Sequence, residues 1–301
     1  MRTIRITGTG SALPGRIVTN KELEQMVETS DEWIRERTGI GERHVSVGET
    51  VVTLASEAVR KALEQAGKRA EEIDLILVAT CSPEQYLPCC ACQVQADIGA
   101  VNALAFDVNA ACSGFLFALN TADAYLRTGL AENALIIGSE VLSKLVDWTD
   151  RSSCILFGDG AGAVVVERCR AESRAVEYGN TLSETEKGMQ NTTAEEKRIP
   201  AGILGRALHS DGTGGGVLQC GARELTTPYA GTSVAKTDQN QPTDGREHYI
   251  QMDGQEVYRF ATRRVPQCIE EALSDAGLAV PDIDMFVLHQ ANARIIDAVA
   301  K

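Results

Sequence analysis

A stretch near residue 62 returns near residue 272. Ala62-Leu63, Ala66-Gly67 and Ile73-Asp74 recur as Ala272-Leu273, Ala276-Gly277 and Ile283-Asp284, each pair 210 positions apart without a gap. In both copies a helix-spaced apolar pattern ends on a glycine, and an apolar run follows the Ile-Asp pair, Leu75 to Thr80 in one and Met285 to Leu288 in the other. Two related halves, each built on a helix-then-strand unit, are the reading that constrains the fold most. The first copy continues from Asp74 to Glu167, the second from Asp284 only to Lys301. The second half is therefore expected to be incomplete and the chain to be truncated, without a second counterpart of the turn at Cys112.

The rest of the chain supplies matching pieces. Ile4 to Thr9 is expected to be a strand, Asn20 to cap a helix running to Val27, and Ser30 or Asp31 to cap another carrying Trp33 and Ile34. Thr50 to Gly67 reads as a long amphipathic helix with Leu54, Ala58 and Leu63 on one face. A helix around Gln93 to Ile98, a short buried strand from Leu104 to Val108, and strands at Ala134 to Gly138 and Cys154 to Phe157 follow. Gly158-Asp159-Gly160-Ala161-Gly162 is expected to turn tightly into a strand from Ala163 to Glu167; it lacks the Lys-Ser/Thr of a phosphate-binding loop. Alternating strands and helices predict an α/β fold, a sheet covered by helices on both faces. Residues 170–200 are dominated by Ser, Thr, Glu, Lys, Gln and Asn without apolar period, a surface loop or disordered segment. The expected division is 1–169, a polar insertion at 170–202, and 203–301.

A net charge of −13 and the lack of any basic stripe argue against nucleic acid as a partner. The N-terminal residues hold no signal-peptide run, and no segment is long and apolar enough for a membrane span. Nine cysteines, an odd number, without an export signal point to reduced thiols and a cytoplasmic location. The Asn191-Thr192-Thr193 glycosylation triplet is then idle. Cys89, Cys90 and Cys92 have no second ligand pair at suitable spacing, so packing thiols are expected there and no metal.

The chemistry gathers at residues 104–127. An apolar strand, Leu104 to Val108, runs into Asn109-Ala110-Ala111-Cys112-Ser113-Gly114, after which Phe115, Leu119, Ala122 and Leu126 recur at helical spacing. Cys112 is thus expected on a strand-to-helix turn, where free N–H groups and the helix dipole favour a thiolate nucleophile. A buried structural thiol fits the same local context. His289 ends the apolar run of the second copy, with Gln290-Ala291-Asn292 and a helix from Ala293 to Ala300 behind it. A histidine at a strand's C-terminal end, facing a cysteine at a helix N-terminus, suits an open α/β site.

Together, Thr29-Ser30-Asp31-Glu32-Trp33-Ile34, Arg37-Thr38-Gly39-Ile40, Glu42-Arg43-His44, Asn109 to Phe115, Phe157 to Gly162 and His289 to Asn292 resemble beta-ketoacyl-acyl carrier protein synthase III of the thiolase superfamily. The likeness spans residues 1 to about 169 and 203–301. It implies a thiolase-like five-layered αβαβα fold of two duplicated halves and a homodimer. It also implies the condensation that starts type II fatty acid synthesis, from an acyl-CoA and malonyl-ACP. Coenzyme A enters as a thioester substrate, and no cofactor is implied.

Carried over by motif, Cys112 takes the acyl group and His289 serves decarboxylation of the malonyl thioester and the resulting enolate. Thr29, Trp33, Arg37, Arg151 and Asn292 fall at substrate-binding positions, the indole and guanidiniums at the nucleotide of CoA. Arg259 and Arg294 match basic positions that dock the carrier protein, a local patch on an acidic chain.

Three departures stand out. The family's Gly-Asn-Thr-Ser segment and its C-terminal Gly-rich loop are not found after His289; Gly179-Asn180-Thr181 lies in the polar insertion instead. Residues 170–200 look inserted, and Gln255 stands where Asn is common. On this basis condensation is expected to be weak or absent, with Asn180 a poor substitute. Other CoA-thioester condensing enzymes of the superfamily, and an inert fragment or non-catalytic partner, remain the alternatives.

Overall fold

The computed structural model describes residues 2–170, 173–175, 198–200, 202–221 and 248–301. In chain order its first seven strands are β1 (Arg2–Ala12), β2 (Ile17–Thr19), β3 (Glu42–His44), β4 (Leu75–Ala79), β5 (Leu104–Val108), β6 (Asn133–Val141) and β7 (Asp159–Arg170). Five form the main sheet in the order β1-β7-β6-β4-β5, while β2 and β3 pair antiparallel as a separate two-stranded sheet. Strand β4 runs parallel to β5 and β6; β7 is antiparallel to both β6 and β1.

The helices are α1 (Asn20–Leu23), α2 (Asp31–Thr38), α3 (Val51–Ala66), α4 (Cys90–Ile98), α5 (Gly114–Thr128), α6 (Gly254–Ala276) and α7 (Ala293–Val299). All five residues of β4 are buried, as a central strand covered on both faces requires. Alternate side chains serve opposite layers: Ile76 and Val78 pack with Leu54 and Ala58 of α3, Leu75 and Leu77 with Ala118 and Ala122 of α5. Gly8 and Gly10 let β1 touch α3 directly. A Cβ at Gly8 would lie 2.2 Å from the carbonyl oxygen of Ala62, and one at Gly10 2.1 Å from that of Ala58.

The repeat returns in the backbone. Gly67 closes α3 at φ 64°, ψ 31°, and Gly277 closes α6 at φ 66°, ψ 31°. One-turn 3₁₀ helices follow at Ala70–Glu72 and Val280–Asp282. The close approach recurs as well: a Cβ at Gly205 would lie 2.1 Å from the carbonyl oxygen of Ala272. Ile203 packs against the α5 cluster, and the Arg206 guanidinium pairs with the buried Asp123 of α5. The segment around residue 205 thus lies between α5 and α6. The succession is α3 and α4, sheet, α5, this segment and α6, the layering expected of a thiolase-like chain.

Five local expectations need correcting. Thr19, not Asn20, caps α1, in a reciprocal capping box with Glu22. Leu104–Val108 is only half-buried because it is an edge strand. Residues 154–156 lie in turns rather than a strand. The glycine-rich stretch is not a turn, since β7 starts at Asp159. Two of its three glycines meet close neighbours: a Cβ would lie 2.9 Å from the His44 carbonyl at Gly158 and 2.9 Å from Leu13 at Gly160.

The fifth is Met285 to Leu288, which forms no strand; Met285 and Val287 are 76% and 79% exposed. An apolar run becomes a strand only beside a partner, and among the described residues none lies alongside it. In 202–221 and 248–301 the only buried apolar residue is Ile250. Residues 173–175 pair antiparallel with 198–200. The rest of the polar insertion, with Asn180 and the Asn191 triplet, lies outside the described residues.

Candidate active site

Strands β4, β5 and β6 end side by side, and their C-terminal edge carries the cysteine. Val108 ends β5, the 3₁₀ turn Ala111–Ser113 follows, and α5 starts at Gly114. Ala111 takes φ +43°, a left-handed conformation costing a non-glycine residue roughly 1–2 kcal/mol. A Cβ on Gly114 would lie 3.0 Å from that of Ala79, so the start of α5 sits tight against the end of β4. The turn therefore holds Cys112 at the mouth of the parallel strands.

Cys112 is exposed, but enough protein surrounds its sulfur for burial to push the thiol's pKa up. Its own backbone N–H opposes the rise, and the Glu140 carboxylate adds to it. Desolvation thus outweighs the backbone N–H at this turn and favours the thiol, against the thiolate that the helix terminus was expected to favour.

Glu140 is a residue that sequence reasoning missed. From β6 it accepts hydrogen bonds from the Cys81 N–H (2.8 Å), the Thr80 hydroxyl (3.1 Å) and the Ser82 hydroxyl. Burial first, then Glu140, pushes the Cys81 thiol up to about 12, and Cys112 and Cys220 lie near enough for their charges to act on it. A glutamate following Ser139 at the end of an apolar strand was the available signal.

His289 follows the exposed run 285–287 and is itself exposed, but enough protein surrounds its ring for desolvation to lower its pKa, favouring the neutral imidazole. Among the described residues it makes no hydrogen bond or ion pair. The side chain of Asn292 is engaged as the N-cap of α7, accepting from the Arg294 N–H at 2.8 Å. Helix α7 rests on the end of α2, where a Cβ on Gly39 would come within 2.8 Å of the Ala293 Cβ.

Three substrate-binding candidates come together. The Arg37 guanidinium lies 4.7 Å and that of Arg151 5.3 Å from the centre of the Trp33 ring. Arg151 also donates to the carbonyl of Glu28 at 2.9 Å, beside Thr29, whose buried hydroxyl has no partner among the described residues. The docking candidates meet elsewhere. Arg294 stands 5.9 Å from the Tyr258 ring, and the neighbouring Arg259 pairs with Glu256.

Of the three close cysteines, Cys90 is buried and Cys92 donates to the Ala105 carbonyl at 3.6 Å. Among the described residues no group of three or more His, Cys, Asp or Glu is arranged to hold a metal. None of their helices is long and apolar enough to cross a membrane.

Residues 106–181 match the family model described as 3-Oxoacyl-[acyl-carrier-protein (ACP)] synthase III. The Beta-ketoacyl-[acyl-carrier-protein] synthase III of Clostridium acetobutylicum is 42% identical over 301 residues, which cover all of this chain and 81% of the relative. The protein of the same name in Microcystis aeruginosa is 46% identical over 297 residues, 98% of this chain and 78% of its own. Among solved structures, 3-oxoacyl-[acyl-carrier-protein] synthase III from Aquifex aeolicus VF5 superposes with a TM-score of 0.79 at 38% identity. That match covers 99% of this chain and 80% of the other.

Proposed function

This chain belongs to the beta-ketoacyl-[acyl-carrier-protein] synthase III family of thiolase-like condensing enzymes of fatty acid synthesis, and from that membership we propose that Cys112 is the residue it acylates. The observation that carries the assignment is the strained turn at Ala111, which presents the cysteine at the C-terminal edge of the parallel strands.

The Cys112 thiol loses its proton and the sulfur attacks the thioester carbonyl of the acyl-CoA. The backbone N–H of Cys112 lies within reach of its own sulfur, which supports it as a donor to the oxyanion. Collapse forms the acyl–cysteine thioester, and the CoA thiolate leaves and takes up a proton. Malonyl-ACP then loses CO₂. Its enolate carbon attacks the acyl carbonyl, and Cys112 departs as the leaving group, giving 3-oxoacyl-ACP.

His289 acts in the second half-reaction. Being neutral, it can donate its ring N–H to the thioester oxygen as negative charge develops there. Trp33, Arg37 and Arg151, with Thr29 beside them, receive the nucleotide of CoA. Asn292 contributes by starting α7 next to His289, and Arg259 and Arg294 offer cations to the acidic carrier protein.

The outer edge of β5, with Leu104 exposed and no partner strand among the described residues, supports association as a homodimer. All nine cysteines are free, which supports a reducing, cytoplasmic setting. The test is labelling by a radiolabelled acyl-CoA: Cys112→Ala should abolish it, whereas Cys154→Ala should not. Label kept by the Cys112 variant and lost from another cysteine variant overturns the assignment.

A further inference from the structure

Arg43, on β3, is only 5% exposed, and among the described residues it meets no carboxylate. Its guanidinium donates to three neutral oxygens: the Val18 carbonyl (3.1 Å), the Asn20 side chain (2.7 Å) and the Ile155 carbonyl (3.0 Å). Burying a cation without a counter-charge is expensive, so such a group is held where its hydrogen bonds fix something else. Asn20, itself buried, passes the connection on. Its amide donates to the Asp31 carboxylate (2.8 Å) at the start of α2 and to the Ile40 carbonyl (2.8 Å) just past its end.

One guanidinium and one amide thus tie both ends of α2 to the turn holding Ile155. Those are the two walls of the Trp33 site. Trp33 and Arg37 stand on α2, while Arg151 comes from the turn. The walls are more than a hundred residues apart in the chain; Arg43 and Asn20 join them by buried hydrogen bonds, alongside the Arg151–Glu28 hydrogen bond and the packing of Ile34 with Ile155 in one apolar cluster.

We propose that Arg43 and Asn20 are positioning residues for nucleotide binding, setting α2 and the 151–156 turn at the separation that keeps Trp33 and Arg37 on one wall within reach of Arg151 on the other. The inference rests on the reading of Trp33, Arg37 and Arg151 as the CoA-binding group.

The test uses the full chain, calorimetric binding of coenzyme A, and acylation of Cys112 by an acyl pantetheine, which carries no nucleotide. Asn20→Ala and Arg43→Lys should each weaken coenzyme A about tenfold while acylation by the acyl pantetheine persists. Adding Asn20→Ala to Trp33→Ala should cause no further loss, because Asn20 acts through the placement of the indole. If Arg43→Lys does not fold, Asn20→Ala carries the comparison. Wild-type affinity in Asn20→Ala, matching losses with both ligands, or full additivity with Trp33→Ala would overturn the proposal. Trp33→Ala and Arg151→Ala probe the underlying reading. If neither weakens coenzyme A, that reading fails and the proposal with it; if both do and Asn20→Ala does not, the positioning role alone is wrong.

Discussion

Burial and one carboxylate, that of Glu140, oppose ionisation of the Cys112 thiol, so its reactivity is tied to pH through a group on a neighbouring strand. Removing that charge should make the thiolate easier to form. Glu140→Gln is expected to shift the pH–rate profile of Cys112 alkylation by iodoacetamide to lower pH, and an unmoved profile would show that the carboxylate does not act on the sulfur. His289 gives a complementary expectation. Its depressed pKa keeps the ring neutral below the usual titration of histidine, so decarboxylation should persist through that range and fall only at lower pH. His289→Ala should still form acyl-enzyme but lose about 100-fold or more in malonyl-ACP decarboxylation; equal loss in both half-reactions would contradict the division of roles. The position of Cys112 on a strand-to-helix turn was legible because small residues and a helical period flank it in sequence. Glu140 was not, because it reaches the site through pairing of β6 with β4, which no local pattern encodes.

Helices were easier to read than strands. Helix α3 declares itself by period, by the capping residue Thr50 and by Gly67 in the left-handed conformation at its end. The strand expected at Met285 to Leu288 failed because an apolar run states a preference for burial, and a ladder also needs a neighbour. The glycines after Phe157 misled for a related reason: they look like turn residues, but Gly158 makes room for β3 just before β7 and Gly160 makes room for Leu13 within it. Glycine at Gly8 does the same between β1 and α3. Since a Cβ there would overlap the Ala62 carbonyl, Gly8→Ala should destabilise the protein by about 1–3 kcal/mol. Urea unfolding measures this, and an unchanged midpoint at unchanged slope would mean that the helix shifts at no cost.

Over the whole molecule, burial is uneven. Among the described residues every fully buried leucine and isoleucine lies between Leu23 and Ile137, and α6 has no buried residue at all. Local opening follows contact density, so hydrogen exchange should release the amides of α6 well before those of α3, although the two helices share the repeat. Equal protection would imply that α6 is covered in solution by something beyond the described residues. The direct contacts of Gly8 and Gly10 with α3 have a mechanical side as well. Most helices ride on a sheet through a cushion of side chains whose rotamers absorb small displacements. Here strand and helix touch backbone to backbone, so β1 and α3 form one stiff beam, and a push on either is transmitted undamped to the other.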